Sequence, residues 1–221
     1  MNIFNGLDQF FSFTEFLEVN EWRIEKQLLK DRVNDYKNWE YFLLLRKKFS
    51  DNQISIWDLK DEEVITWLDT LLLLRRIFTV LLKKGIKIDN ILTIMEYPLV
   101  NGNYMRSDYL IVYDRLIFVL EFGMFNQDEK RSEERYTKKL QESINYRQII
   151  ANQVAKEIQV INYVMIYKPE YDKLKKQNMV ENISYNEKEI LKLSKYLMNC
   201  LTNQQNISAI KQLEIIEIAN T

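Results

Sequence analysis

Apolar residues recur at helical spacing through the first quarter of the chain. Phe13, Phe16, Leu17, Trp22, Ile24, Leu28 and Leu29 follow that spacing, with Ser12 and Glu15 placed as a capping box at its start. The pattern over residues 12–49 breaks near 31–37, which predicts two helices, the second carrying Trp39, Phe42, Leu43 and Leu44. Ser50-Asp51-Asn52 reads as a loop. A stronger helix follows: Asp61-Glu62-Glu63 supplies acids for a first turn and Lys83-Lys84 supplies bases for a last one. Gly85 stands where a helix ends in a left-handed residue. Trp67, Leu71, Leu74, Phe78 and Leu81 form its apolar face.

From residue 91 the period shortens. Residues 91–99 are apolar and partly β-branched, Asn101-Gly102-Asn103 is a turn signal, and 104–113 and 116–122 read as two further strands joined at Asp114-Arg115. Residues 132–157 form a long helix with Tyr136, Leu140, Ile144, Ile150 and Val154 in line. Residues 160–167 are a fourth strand, closed by Pro169. The remainder, 170–221, is mainly helical, with a short strand expected near 180–184. The central order is helix, three-strand meander, helix, strand, without internal repeats or a Ser/Gly/Pro linker.

Composition narrows the chemistry. The 221 residues include 31 Lys+Arg, 32 Asp+Glu, one Cys, four Gly, two Pro and no His. Without imidazole, Ser-His-Asp and Cys-His hydrolysis, histidine acid/base catalysis and His-ligated metals are excluded. One Cys excludes disulfide frameworks and CxxC pairs. Carboxylates, amines, hydroxyls and hard cations with oxygen ligands remain. A net charge of −1 offers no global field for nucleic acid, so binding of that kind needs a local patch. The most membrane-like stretch, 64–82, is cut by Asp69, Arg75 and Arg76, and residues 1–13 lack the basic start and cleavage site of a leader. A cytoplasmic protein without a membrane partner is expected.

Hairpin geometry then brings acids together. A symmetric turn at Asp114-Arg115 sets Asp108 opposite Glu121, and a three-residue loop at Asn101-Gly102-Asn103 sets Glu96 opposite Asp108. Directly opposed side chains lie about 4.5–5.5 Å apart at Cβ. Two bare carboxylates at that separation repel by about 3 kcal/mol at an effective dielectric of about 20. Three acids in one row, on strands otherwise apolar on both faces, call for a cation or a proton; Mg²⁺ or Mn²⁺ fits an all-oxygen set. The alternative is that each acid is solvated at a sheet edge.

The element order, with Glu96, Arg106-Ser-Asp108 and Phe118-Val-Leu-Glu121-Phe-Gly123, resembles the PD-(D/E)XK nuclease superfamily. That family places an Asp near the start of the second strand, and a Glu, one residue, then a Lys in the third. Gln141 and Tyr146 are similar to the Gln-x-x-x-Tyr motif of RecB-like members, one residue longer. The resemblance covers about residues 60–168. It implies an α/β, restriction-endonuclease-like core within a domain over 58–221, a helical C-terminus, and an N-terminal helical extension over 1–57. It further implies a Mg²⁺-dependent (or Mn²⁺-dependent) nuclease hydrolysing DNA phosphodiesters in DNA processing or phage defence. Asp108, Glu121 and Glu96 would hold metal, and Gln141 and Tyr146 would position substrate or acids. The family's lysine falls on Gly123. Arg106, Lys138 or Lys139 would then supply the cation, or metal alone would activate water, or the site would be inactive. An inactive relative would bind nucleic acid or a protein partner. A third alternative is a structural protein whose N-terminal helices make an interface or a homo-oligomer.

Other features read more plainly. The mixed-sign runs 129–139 and 173–176 suit solvated helix faces as well as phosphate contacts. Thirteen Tyr could stack on bases, but most suit core or surface-belt positions. Cys200 reads as a small buried hydrophobe, and Trp22, Trp39, Trp57 and Trp67 as core residues.

Overall fold

A computed structural model describes residues 2–25, 29–51, 59–99, 105–124, 129–169, 184–202 and 213. Trp57, the Asn101-Gly102-Asn103 turn, the basic run at 173–176 and residues 180–183 of the expected short strand lie outside them. The described elements are β1 (Asn2–Asn5), α1 (Leu7–Val19), α2 (Leu29–Tyr36), α3 (Glu40–Asp51), α4 (Asp61–Lys83), β2 (Leu92–Leu99), β3 (Met105–Tyr113), β4 (Leu116–Met124), α5 (Glu129–Gln153), β5 (Gln159–Tyr167) and α6 (Tyr185–Thr202). They form an α/β fold around one open sheet of order β1-β2-β3-β4-β5. The first four strands are antiparallel, and β5 joins β4 in parallel across the α5 crossover. The expected run of helix, meander, helix and strand is present.

α4 forms where the sequence marks it. Its first turn carries Asp61, Glu62 and Glu63, and the Glu63 carboxylate accepts the Lys60 amide at 3.3 Å. At the other end Gly85 takes φ +75°, its amide donates to Leu82 O and the Ile86 amide to Leu81 O, which closes a Schellman turn. Because the sheet is covered on both faces, nearly every position of β4 is buried, as is the run Tyr109–Val112 of β3. One face, carrying Met95, Tyr109, Ile111, Phe118 and Leu120, packs under α4, α6 and the N-terminal helices. The other, carrying Ile94, Leu110, Val112, Ile117 and Val119, packs under α5.

The N-terminal quarter differs from the expectation. Residues 2–5 are a strand, added to the free edge of β2. Four residues are too few to show a period, so pattern could not reveal it. α1 begins at Leu7 after Gly6 (φ +94°), which leaves Ser12 and Glu15 inside the helix rather than at its cap. Residues 31–36, expected to be a break, belong to α2; the interruptions fall after Val19 and between Tyr36 and Glu40. Burial explains α2. Arg32, fully buried, pairs with Asp69 of α4 at 2.7 Å, and Trp22 Nε1 donates to the same carboxylate at 2.9 Å. Phe4, Phe10, Leu17, Phe42 and Leu45 belong to the same buried cluster as Leu71, Phe118 and Leu197, so the first fifty residues share the core of the sheet. Among the described residues, no helix is long and apolar enough to cross a membrane.

Candidate active site

The strand registers follow the hairpin reading. β3 and β4 pair Tyr109 with Leu120 and Tyr113 with Leu116; β2 and β3 pair Met95 with Tyr109 and Tyr97 with Ser107. Continued by one step, both registers meet at Glu96, Asp108 and Glu121. At that level the backbone departs from a plain ladder. Glu96 has φ +56°, a left-handed conformation that costs a side-chain-bearing residue about 1–2 kcal/mol. Ile94 and Tyr97 both face α5, while Met95 and Glu96 both turn to α4. On β3 the alternation slips at the matching place. Tyr109 faces α4, yet Ser107, two residues earlier, bonds to Glu121 on the α5 side. Each strand therefore holds one extra residue, Glu96 and Asp108, opposite one another, so the facing changes while the register does not.

This double bulge divides the three acids. Asp108 and Glu121 turn to α5. The Asp108 amide donates to Glu121 Oε1 at 2.9 Å, and the Phe122 amide donates to Asp108 Oδ2 at 2.9 Å. Ser107 Oγ donates to Glu121 Oε1 at 3.0 Å. Lys139 of α5 completes the cluster, its Nζ 2.9 Å from Asp108 Oδ2 and 2.8 Å from Glu121 Oε2. Glu96 turns the other way. It accepts Trp67 Nε1 at 2.7 Å and pairs with Arg106 Nε at 2.7 Å, and Arg106 Nη2 also reaches Glu63 at 2.9 Å. Asp108 and Glu96 both line a cavity of about 250 Å³ walled by α4.

Burial sets the electrostatics. It pushes the Glu121 carboxyl up to about 8, helped by the charge of Asp108 and opposed by Lys139. It pushes Glu96 up to about 7, opposed by Arg106 and helped by Asp108. For Lys139, burial favours the neutral amine, but the two carboxylates outweigh it and raise its pKa, so the ammonium persists. Tyr146, buried beside the cluster, is raised by burial and then by Glu121.

Of the residues proposed from sequence, Asp108, Glu121 and Lys139 are brought together, and Glu96 and Arg106 form an adjoining pair. Arg106, opposite Pro98 of β2, sends its guanidinium to Glu96 and Glu63 on the α4 side, away from Asp108 and Glu121. Gln141 is corrected: it is exposed on α5 and donates to Asn145 at 3.1 Å. Two residues past Lys139, it is rotated about 200° around the helix. Lys138 is likewise outward, 3.8 Å from Glu142. A Cβ on Gly123 would come within 2.6 Å of Ile166 Cδ1, so β5 occupies the space of the family's lysine. Ser107, Glu63 and Trp67 were not singled out from sequence as site residues. For the last two a signal existed, since polar Glu63 and Thr70 flank Trp67 at helical spacing on one side of α4.

Among the described residues, no group of three or more acidic or thiol side chains is arranged to hold a metal. The pair Asp108 and Glu121 does face a shared cation, the Lys139 ammonium. That fits Mg²⁺, which takes one or two carboxylates and keeps several waters. Glu96, with both oxygens engaged by Trp67 and Arg106, does not fit as a ligand while those bonds stand. Compared with protein-family models, curated proteins and solved structures, the chain matches none of them.

Proposed function

We propose that the chain is a cytoplasmic, metal-dependent phosphodiester hydrolase of PD-(D/E)XK type with a restriction-endonuclease-like core, acting on DNA. One observation carries the reading: Lys139, from the helix after the third meander strand, places its ammonium against both Asp108 and Glu121. A migrated lysine supplies there the charge that Gly123 lacks. Asp108 and Glu121 would hold Mg²⁺ (or Mn²⁺), which when bound lowers the pKa of water and polarises a phosphoryl oxygen. Lys139 keeps its proton and stabilises negative charge developing on a phosphate. Arg106, held by Glu63 and Glu96, is a second cation at the rim of the α4 cavity. Ser107 and the amides of Asp108 and Phe122 fix the carboxylate rotamers.

The purified chain, given Mg²⁺ or Mn²⁺ and single- or double-stranded DNA or RNA, is expected to cleave DNA. Asp108→Asn and Glu121→Gln should abolish cleavage with the circular dichroism spectrum unchanged. Absence of both metal binding and cleavage would sink the reading. A second reading, an inactive relative that binds nucleic acid or a protein partner, is favoured by Lys139 already neutralising both carboxylates. Salt-sensitive nucleic-acid binding without cleavage would select it.

A further inference from the structure

We propose, resting on the hydrolase reading, that the groove along the free edge of β5 is a track for a single strand of nucleic acid leading to Asp108, Glu121 and Lys139. Among the described residues, β5 pairs only with β4 and ends the sheet. Beside its outer edge lies a cavity of about 920 Å³ between α5 and α6. Its floor includes Val164 and Ile166, which pair in parallel register with Glu121 and Gly123. The α5 wall includes Thr137 and Leu140, two residues before and one residue after Lys139. Val164 is the strand partner of Glu121, so groove and carboxylate–lysine cluster adjoin across that pair.

The lining also has a stated chemistry. Tyr136 from α5 and Tyr185 from α6 are exposed at 42% and 36%, and both border the groove with Tyr163 of β5. Lys168, just past β5, and Lys192 of α6 also line the groove, with Lys168 Nζ 4.2 Å from the Tyr185 ring centroid. Rings beside ammonium groups suit bases stacked along a strand whose phosphates pass the lysines, and every base has a face to offer. A duplex buries those faces in its own stack, so a single strand is the occupant favoured. Glu133 and Glu189 on the same walls limit the net charge, so stacking carries more of the binding than charge does.

The test uses the full chain with Glu121→Gln, which prevents cleavage, in fluorescence anisotropy with labelled oligothymidylate and with a duplex of equal length. Oligothymidylate should bind more tightly than the duplex. Tyr136→Ala and Tyr185→Ala should each weaken it by about tenfold, while Tyr→Phe at either position keeps it within about twofold. Binding that is equal for duplex, or indifferent to both alanine variants, would overturn the track. So would absence of binding with β5 amides instead protected from hydrogen exchange as protein concentration rises, which would assign the groove to strand pairing with a second copy. The two proposals fail separately. A wild-type chain that cleaves duplex only keeps the hydrolase and loses the track; tyrosine-dependent oligothymidylate binding without cleavage does the reverse.

Discussion

Asp108 and Glu121 hold each other through backbone rather than side chain alone. The amide of the first donates to the carboxylate of the second, one step beyond the last regular pair of their strands, Tyr109 with Leu120. The Asp108 carboxylate returns the relationship by accepting the Phe122 amide. Two acids on neighbouring strands thereby replace ladder hydrogen bonds, and each is fixed before any ligand arrives.

Lys139→Met tests what the ammonium does there. It leaves Glu121, 1% exposed, without its cation, and removing one partner of a buried pair costs about 3 kcal/mol. Glu121 then takes up a proton more readily, so urea midpoints should fall further near pH 8 than near pH 5. Cleavage should drop by about 10²–10³-fold. Equal midpoints for variant and parent at both pH values would remove Lys139 from the cluster.

Glu96 makes stability depend on pH in a known direction. Its folded pKa, about 7, lies above its ordinary value of 4.5, so the folded state holds a proton that the unfolded chain has released. The stability it contributes is complete below about pH 4.5 and is lost as pH rises through about 7. Arg106, Glu63, Asp108 and Trp67 are the groups that act on it. The melting temperature should decline across this window, and Glu96→Gln should flatten the decline. A Glu96→Gln chain that kept the parent's full slope would contradict the assignment.

The Arg32–Asp69 pair is a structural device. Both side chains are fully buried, and Trp22 shares the carboxylate. Arg32→Met alone should cost about 3–5 kcal/mol in chemical denaturation because Asp69 is left charged and enclosed. Arg32→Met with Asp69→Leu should recover most of it. No recovery would mean that the pair contributes net stability beyond mutual neutralisation.

Gly123 is set by packing. Gly123→Ala places its Cβ against Ile166 Cδ1 and should destabilise by about 1–3 kcal/mol. Ile166→Val in the same chain removes the obstructing methyl, so the double-mutant cycle should show favourable coupling. Additive losses would show that the collision is relieved elsewhere.

The sheet and its registers were legible because long strands buried on both faces leave continuous apolar runs, and turn residues fix which positions oppose. Lys139 was legible as one of two helix lysines within reach. What remained hidden depends on single backbone angles. Nothing in a Met-Glu-Tyr sequence announces φ +56° at Glu96, and that angle decides whether Glu96 joins Asp108 or turns to Trp67. The facing of Gln141 was available from helix phase, since Lys139 and Tyr146 are two turns apart on one side and position 141 falls between them. β1 and α2 escaped for different reasons: the first is four residues long, and the second owes its place to a buried arginine that composition marks as surface.

The matched extra residues at 96 and 108 bear on how this hairpin can change in descent. Deleting either one alone would restore alternation in its own strand but slide the outer residues of β2 and β3 past each other by one position, so Tyr97 would lose Ser107 and Pro98 would lose Arg106 as partners. Deleting both together would restore regular alternation and erase the division between the two acid clusters. Length variation within β2 and β3 is therefore tolerated only in compensating pairs, and a lineage that keeps one bulge must keep the other.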